Sequence, residues 1–317
     1  MPLNPQIKAF LEDCNSNVQD IDYTCISAPE LRKRFIIPTS SIPSGTELLR
    51  IEKLIIPVRS GTTILRLYVP SAVVPLPVTV FFHGGGFCIG SLNASDNLCR
   101  LLAVHSHSIV VSVDYRLAPE AAFPAGIEDA EDCLRWISQH AATFGGDVTR
   151  LAVAGNSSGG NFAAVMAQWA HKQRIKLCHQ LLLFPVTDGS CEAASYSAFA
   201  KGYFLTSDMM RWFWRNYLID AAQAHDPRVS PLLQTDFKGL APATIFTAEF
   251  DILRSEGEAY AITLAQANVP VWLKCWKGQI HDFTQMTDYI TDANTALREA
   301  GEVLRQALYG KYQGKRV

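Results

Sequence analysis

Apolar residues along this chain fall into two spacings, and their order predicts the architecture. Glu52 to Val58 and Thr63 to Val69 read as two strands joined at Ser60-Gly61-Thr62 and closed by Pro70, a hairpin at a sheet edge. Beyond it, short apolar runs at 78–82, 109–114, 151–154, 177–184, 244–248 and 271–276 alternate with stretches of helical spacing. The helical stretches lie near 95–106, 126–142, after 160, and at 255–267 and 293–308. Such alternation predicts a mostly parallel central sheet flanked by helices, and unbroken strands such as Ile109-Val110-Val111 fit burial on both faces.

Two regions depart from this rhythm. At the start, Pro5 to Asp13 and Pro29 to Arg34 read as short helices, the second with Glu30, Arg32, Lys33 and Arg34 exposed, before Pro38 and Pro43 break the pattern. Between Gly189 and Ala224 the chain concentrates Tyr196, Phe199, Tyr203, Phe204, Leu205, Met209, Met210, Trp212, Phe213, Trp214 and Tyr217. Such a segment either covers an apolar pocket or packs a cap onto the main body. The expected organisation is a helical cap from residues 1–50 and 189–225 around a catalytic core formed by 51–188 and 226–317.

Composition narrows the function. Among 317 residues, 48% are hydrophobic and 18% charged, which fits a globular enzyme with a large core. Net charge is −2 with Lys and Arg scattered, so no nucleic-acid or anionic-membrane surface is expected and the substrate is expected to be neutral or apolar. The first residues lack a basic and apolar leader, and no apolar run reaches the roughly 18 residues of a membrane span, so a soluble cytoplasmic protein is expected. The eight cysteines show no C-x-x-C pair and no zinc spacing, which predicts free thiols and no metal.

The chemistry is concentrated in Gly155-Asn156-Ser157-Ser158-Gly159, which links the strand-like Leu151 to Ala154 to a helix-like run from Asn161. A serine between two glycines at a strand-to-helix turn is the nucleophile-elbow pattern, with the glycines giving clearance to a strained residue. Ser157 is therefore the candidate nucleophile, since choosing Ser158 would put Asn156 and Gly160 at the flanking positions. An acyl-transfer serine needs a base, an orienting acid and oxyanion donors. In α/β-hydrolases the chain order is serine, acid, histidine. His171, His179, His225 and His281 lie downstream, and only His281 follows a late strand by a short loop, Lys277 to Ile280. Asp251 follows the strand Thr244 to Ala248, where catalytic groups gather in open sheets. Its competitors are Glu249, Asp282 and Glu256, the last read as a favourable charge in the first turn of its helix.

Gly84, Gly85 and Gly86 follow the strand 78–82 and His83; bare backbone N–H groups there, with that of Ser158, are the candidate oxyanion hole. The second and third glycines are the ones expected to point at the oxygen. Neither dinucleotide nor P-loop spacing can be completed from this run.

His83-Gly84-Gly85-Gly86-Phe87, Asp114-Tyr115-Arg116-Leu117-Ala118-Pro119-Glu120, the elbow, Asp251-Ile252-Leu253-Arg254-Ser255-Glu256-Gly257 and His281-Asp282-Phe283 together resemble the hormone-sensitive-lipase family of α/β-hydrolases, from about residue 50 to the end. The resemblance implies a serine carboxylesterase with an amino-terminal cap, acting on short- to medium-chain acyl esters without metal or organic cofactor. It also makes a homodimer through 271–276 and the final helix an expectation, which a monomeric mass in light scattering would exclude. The family commonly has Gly-Asp-Ser-Ala-Gly-Gly at the elbow, so Asn156 and Ser158 are departures, as is Ile252 where proline often follows the acid. Losing the elbow acid is expected to alter pH dependence or rate. Arg116 and Glu120 are expected to pair and support the glycine loop, with Pro119 and Pro124 as candidates for cis bonds. Alternative functions are an amidase or peptidase using the same triad, and a non-catalytic receptor on the same scaffold.

Overall fold

The computed structural model describes residues 2–17, 21–34 and 47–312. The break expected at Pro38 and Pro43 lies outside them. Strands β1 (Arg50–Val58) and β2 (Gly61–Val69) form the hairpin, in register from Arg50 opposite Val69 to Val58 opposite Gly61. Then follow β3 (Leu76–Phe82), α3 (Asp96–Ser106), β4 (Ile109–Val113), α4 (Ala125–His140), β5 (Gly146–Asn156), α5 (Ser158–Lys172) and β6 (His179–Leu183). The chain closes with β7 (Ala243–Phe250), α8 (Arg254–Gln266), β8 (Val271–Ile280) and α9 (Thr291–Leu308). The strands form one sheet in the order β1-β2-β4-β3-β5-β6-β7-β8, antiparallel at β1/β2 and β2/β4 and parallel from β4 onward.

Period-two alternation explains how a strand buried along its whole length serves two cores. Val78, Val80 and Phe82 of β3 join Ile127 and Leu134 of α4 and Phe162 and Met166 of α5. Phe81 faces the other way, into Leu98 and Leu102 of α3 and Leu297 and Leu304 of α9. Because β3 and β5 through β8 run parallel, their carboxyl ends share one edge of the sheet, and every candidate catalytic group lies on a loop leaving that edge.

The amino-terminal helices are α1 (Pro5–Asn17) and α2 (Ala28–Arg34), and two more, α6 (Ala194–Ala198) and α7 (Ser207–Tyr217), lie in the aromatic segment. The Thr206 hydroxyl caps α7 by accepting from Met209 N–H at 3.1 Å. The two regions meet where Trp212 Nε1 donates to the Ile26 carbonyl at 3.1 Å and Arg215 to that of Tyr23 at 2.8 Å. Among the described residues no helix is long and apolar enough to cross a membrane. The seven cysteines whose side chains are described are free thiols.

Two local expectations change. The stretch Lys277 to Ile280 continues β8 instead of forming a loop: the β7/β8 register shifts at Glu249, whose carboxylate accepts the Gly278 N–H at 2.8 Å, and Phe250 then pairs with Ile280. Arg116 pairs with Asp129 at 2.8 Å, not with Glu120. The Ala118-Pro119 and Phe123-Pro124 bonds are cis.

Candidate active site

The backbone brings Ser157 to a point between β5 and α5 at φ 55°, ψ −123°, a conformation that side chains rarely adopt. Clearance explains its flanking glycines. A Cβ on Gly155 would strike the Gly159 carbonyl, and one on Gly159 would strike that of Phe82. The turn is held by Ser157 N–H donating to the Leu183 carbonyl at 2.8 Å, while the Ser157 carbonyl accepts from Val186 at 3.2 Å.

His281, directly after β8, places Nε2 at 2.9 Å from Ser157 Oγ, and its Nδ1 lies 2.8 Å from Asp251 Oδ2 at the end of β7. Asp251 Oδ1 accepts the Leu253 N–H at 2.9 Å, so both oxygens are fixed. Ile252 at the site of the family's proline leaves that carboxylate unaffected. An acceptor at Nδ1 sets the neutral tautomer, leaving Nε2 free to accept the serine proton. Ser157, Asp251 and His281 are 7%, 1% and 4% exposed. Burial disfavours the imidazolium, but Asp251, by charge and hydrogen bond, and then Asp282 outweigh it and raise the His281 pKa above its ordinary value. The other downstream histidines lie elsewhere: His171 is exposed at the end of α5, His179 is buried on β6 against Thr244, and His225 lies outside the cavity, in the segment after α7.

The glycine loop turns back over the serine. Gly85 and Gly86 have φ of 125° and 55°, and their N–H groups have no partner among the described residues. Ser158 is the first residue of α5, where helix N–H groups lack intrahelical acceptors. Gly84 differs from its expected role: its N–H donates to Asn156 Oδ1 at 2.9 Å. That leaves Gly85, Gly86 and Ser158 as available donors. His83 anchors the loop, with Nδ1 2.8 Å from the Gly84 carbonyl and its ring stacked on Tyr115 at 4.3 Å, and burial lowers its pKa to about 4.

Three supports are invisible or read differently in the sequence. Arg32 is half-buried, not exposed; it donates to the carbonyls of Cys88 and Ala118 and pairs with Glu120, so an arginine of α2 takes the role expected of Arg116. Glu256 turns away from the end of its helix and accepts the N–H groups of Thr187 at 2.7 Å and Asp188 at 3.3 Å. Burial holds its carboxyl far above the usual range. Asn156, in the sequence only a departure from the family's elbow, also donates to Asp282 Oδ1 at 2.8 Å. No spacing rule connects such pairs, which are far apart in the chain.

A cavity of about 120 Å³ opens beside Ser157, bounded by the glycine loop and by Leu205, Met209 and Phe213. The aromatic segment is thus divided. Trp214 and Tyr217 pack inward on Phe87, at 5.2 and 4.0 Å between ring centroids, while Phe204 and Phe213 face the cavity. Among the described residues no cluster of side chains is arranged to hold a metal ion.

Residues 79–285 match a family model described as alpha/beta hydrolase fold. The ethyl acetate hydrolase of Pseudomonas putida is 36% identical over 318 residues, spanning 97% of this chain and 100% of that protein. The carboxylesterase NlhH of Mycobacterium tuberculosis is 36% identical over 314 residues, 97% of each chain. Among solved structures, a thermostable esterase from Pseudomonas putida has a TM-score of 0.92 at 38% identity, covering 97% of this chain and 98% of its own. A hyperthermophilic esterase from Pyrobaculum calidifontis has a TM-score of 0.92 at 34% identity, covering 96% and 99%. Fold, motifs and relatives agree along nearly the whole chain, which belongs to the hormone-sensitive-lipase family of α/β-hydrolase carboxylesterases.

Proposed function

We propose that this carboxylesterase hydrolyses short-chain acyl esters through an acyl-enzyme on Ser157. The observation that carries the reading is the continuous contact of Ser157 Oγ, His281 and Asp251 at 2.9 and 2.8 Å beside a small cavity. Ser157 Oγ attacks the ester carbonyl carbon as its proton passes to His281 Nε2, and Asp251 stays ionised and stabilises the imidazolium. The carbonyl electron pair moves to oxygen, where the N–H groups of Gly85, Gly86 and Ser158 receive it. Collapse expels the alkoxide, which takes the proton from His281. Water then gives a proton to the same nitrogen and attacks the acyl carbon; collapse breaks the bond to Ser157 Oγ, which takes that proton back from His281, releasing the acid and restoring the serine.

The cavity supports the chain length. An apolar space of ~150 Å³ holds benzene, so 120 Å³ suits an acyl group of about two to four carbons. Residues 189–225 would form the cap that bounds it, since Phe204, Leu205, Met209 and Phe213 all come from this segment, with the described amino-terminal residues Tyr23 and Ile26 bound to its helix α7.

The test is hydrolysis of p-nitrophenyl esters from acetate to palmitate by wild type and Ser157→Ala. The expected result is a short-chain optimum and a loss on the order of 10⁶ in kcat in a folded variant. Substantial activity remaining in Ser157→Ala would refute the nucleophile. A folded wild type that spares every ester and cleaves the matching p-nitroanilides would move the assignment to amide substrates.

A further inference from the structure

Asn156 stands where the family elbow commonly carries an aspartate, a change that reads in the sequence as the loss of a charge. In the folded chain Asn156 is fully buried and both ends of its amide are engaged. Oδ1 accepts the Gly84 N–H at 2.9 Å and Nδ2 donates to Asp282 Oδ1 at 2.8 Å. A backbone N–H can only donate, so the orientation of the amide is fixed and Asp282 must accept. Asp282, the residue after His281, lies at φ 58°, in the left-handed region that a glycine would occupy without strain. A carboxylate is therefore kept against a backbone cost, at a position lining the cavity with Ser157 and the glycine loop.

We propose that Asn156 and Asp282 are a coupled positioning pair, tying the oxyanion loop to the loop that carries His281 and keeping a negative charge beside the imidazole. The proposal rests on the esterase reading above for its kinetic consequences, and on the bridge geometry for its structural ones. An aspartate at 156 would set two carboxylate oxygens face to face where Nδ2 now meets Oδ1, and both could not be ionised at that spacing. The titratable groups acting on Asp282 are His281 on its own loop and Asp251 from the end of β7, while β5 offers only the neutral amide. Burial lifts the Asp282 carboxyl to about 6, against the pull of His281 and of the Asn156 hydrogen bond, with Asp251 adding to the rise.

The test compares Asn156→Asp, Asp282→Asn and the reciprocal double variant, reading Tm and the kcat and KM for p-nitrophenyl acetate across the pH range. Asn156→Asp is expected to lose on the order of tenfold in kcat with KM changed by less than about threefold, to gain an ionisation in its kcat profile, and to lose about 2–4 °C in Tm. In the reciprocal variant the carboxylate at position 156 accepts both from Gly84 and from the amide at position 282, so kcat and Tm are expected to return to within about threefold and about 1 °C of wild type. Asp282→Asn keeps the acceptor but removes the charge, so its Tm is expected to hold while the acid limb of kcat/KM moves to lower pH. A reciprocal variant no better than Asn156→Asp, or an Asn156→Asp variant indistinguishable from wild type, overturns the proposal. If Asn156→Asp does not fold, recovery of folding in the reciprocal variant is the expected result, and its absence overturns the pairing. The Tm comparison needs no substrate, so a wild type without ester hydrolysis would refute the esterase reading while the bridge is still judged.

Discussion

Replacing Phe213 by alanine is expected to lengthen the acyl chain that is hydrolysed best. The side chain is 3% exposed on α7, its ring lies where a Cβ on Gly86 would fall, and it forms one wall of the 120 Å³ cavity. Removing the ring frees about a benzene's volume, roughly doubling the space. Each methylene that the enlarged cavity buries contributes about 0.8 kcal/mol, or about fourfold in kcat/KM. Hexanoate, two methylenes longer than butyrate, should therefore gain about 15-fold on it relative to wild type. Truncation also removes packing against Trp212, whose ring centroid is 5.4 Å away. The cost is about 3–5 kcal/mol, visible as a Tm loss on the order of 10 °C, so Phe213→Leu serves as the milder companion with an intermediate shift. The assay is kcat/KM for p-nitrophenyl esters at a temperature well below both transitions. An unchanged hexanoate-to-butyrate ratio in a folded Phe213→Ala enzyme would show that the acyl chain lies elsewhere.

Two further outcomes follow from the electrostatics and the loop supports. His281 must be neutral to accept the serine proton and its pKa is raised above 6.5, so kcat/KM should fall as pH drops through a midpoint above that value; a midpoint below it refutes the charge balance drawn from Asp251 and Asp282. Arg32→Ala should lower kcat about tenfold with KM within about twofold, because it frees two carbonyls that flank the oxyanion loop. Glu120 is 55% exposed, so Glu120→Ala should stay close to wild type, and equal losses in the two variants would assign the effect to the ion pair instead.

Local chemistry makes much of this site legible in the amino-acid sequence. A strand, a Gly-flanked serine and a helix must be contiguous in the chain, and so must His83 and the glycines after β3. Asp251 and His281 can be chosen because chain order and strand ends constrain them. Which donors are free is not legible, since that depends on Asn156 reaching Gly84 across the β3/β5 boundary. Nor is Arg32, which opens the charged run Arg32-Lys33-Arg34 but whose guanidinium reaches Cys88 and Ala118. Glu256 differs from its sequence reading for a similar reason: helix-end preference is a weak local term, and the buried Thr187 N–H and half-buried Asp188 N–H on the loop after β6 require an acceptor. The end of β8 escapes pattern reading because a glycine in a strand normally marks a turn, whereas Gly278 is accommodated by the register shift at Glu249.

Of the nine described non-glycine residues at positive φ, four share a location around the site, and this explains why supports of that kind are needed there. Phe87, Ser157, Phe184 and Asp282 all have positive φ, and all lie on loops that leave the carboxyl edge of the sheet or join its strands there. Each such conformation costs on the order of 1 kcal/mol and persists only where the surroundings over-determine it. Phe87 is held by stacking on Tyr217 at 4.0 Å, and Phe184 by edge contacts with Phe283 at 5.3 Å and with the His281 ring at 6.0 Å. Ser157 is held by backbone bonds to Leu183 and Val186, and Asp282 by the Asn156 amide. Apolar packing alone would fix the rings but not the direction of the N–H groups and carboxylates. The hydrogen bonds of Asn156 and Glu256 supply that direction: Asn156 ties the loops after β3 and β8 to the end of β5, Ser157 N–H ties the elbow to the end of β6, and Glu256 of α8 holds the loop after β6, so that the Ser157–His281 distance is set by several loops of the sheet edge instead of by either loop alone.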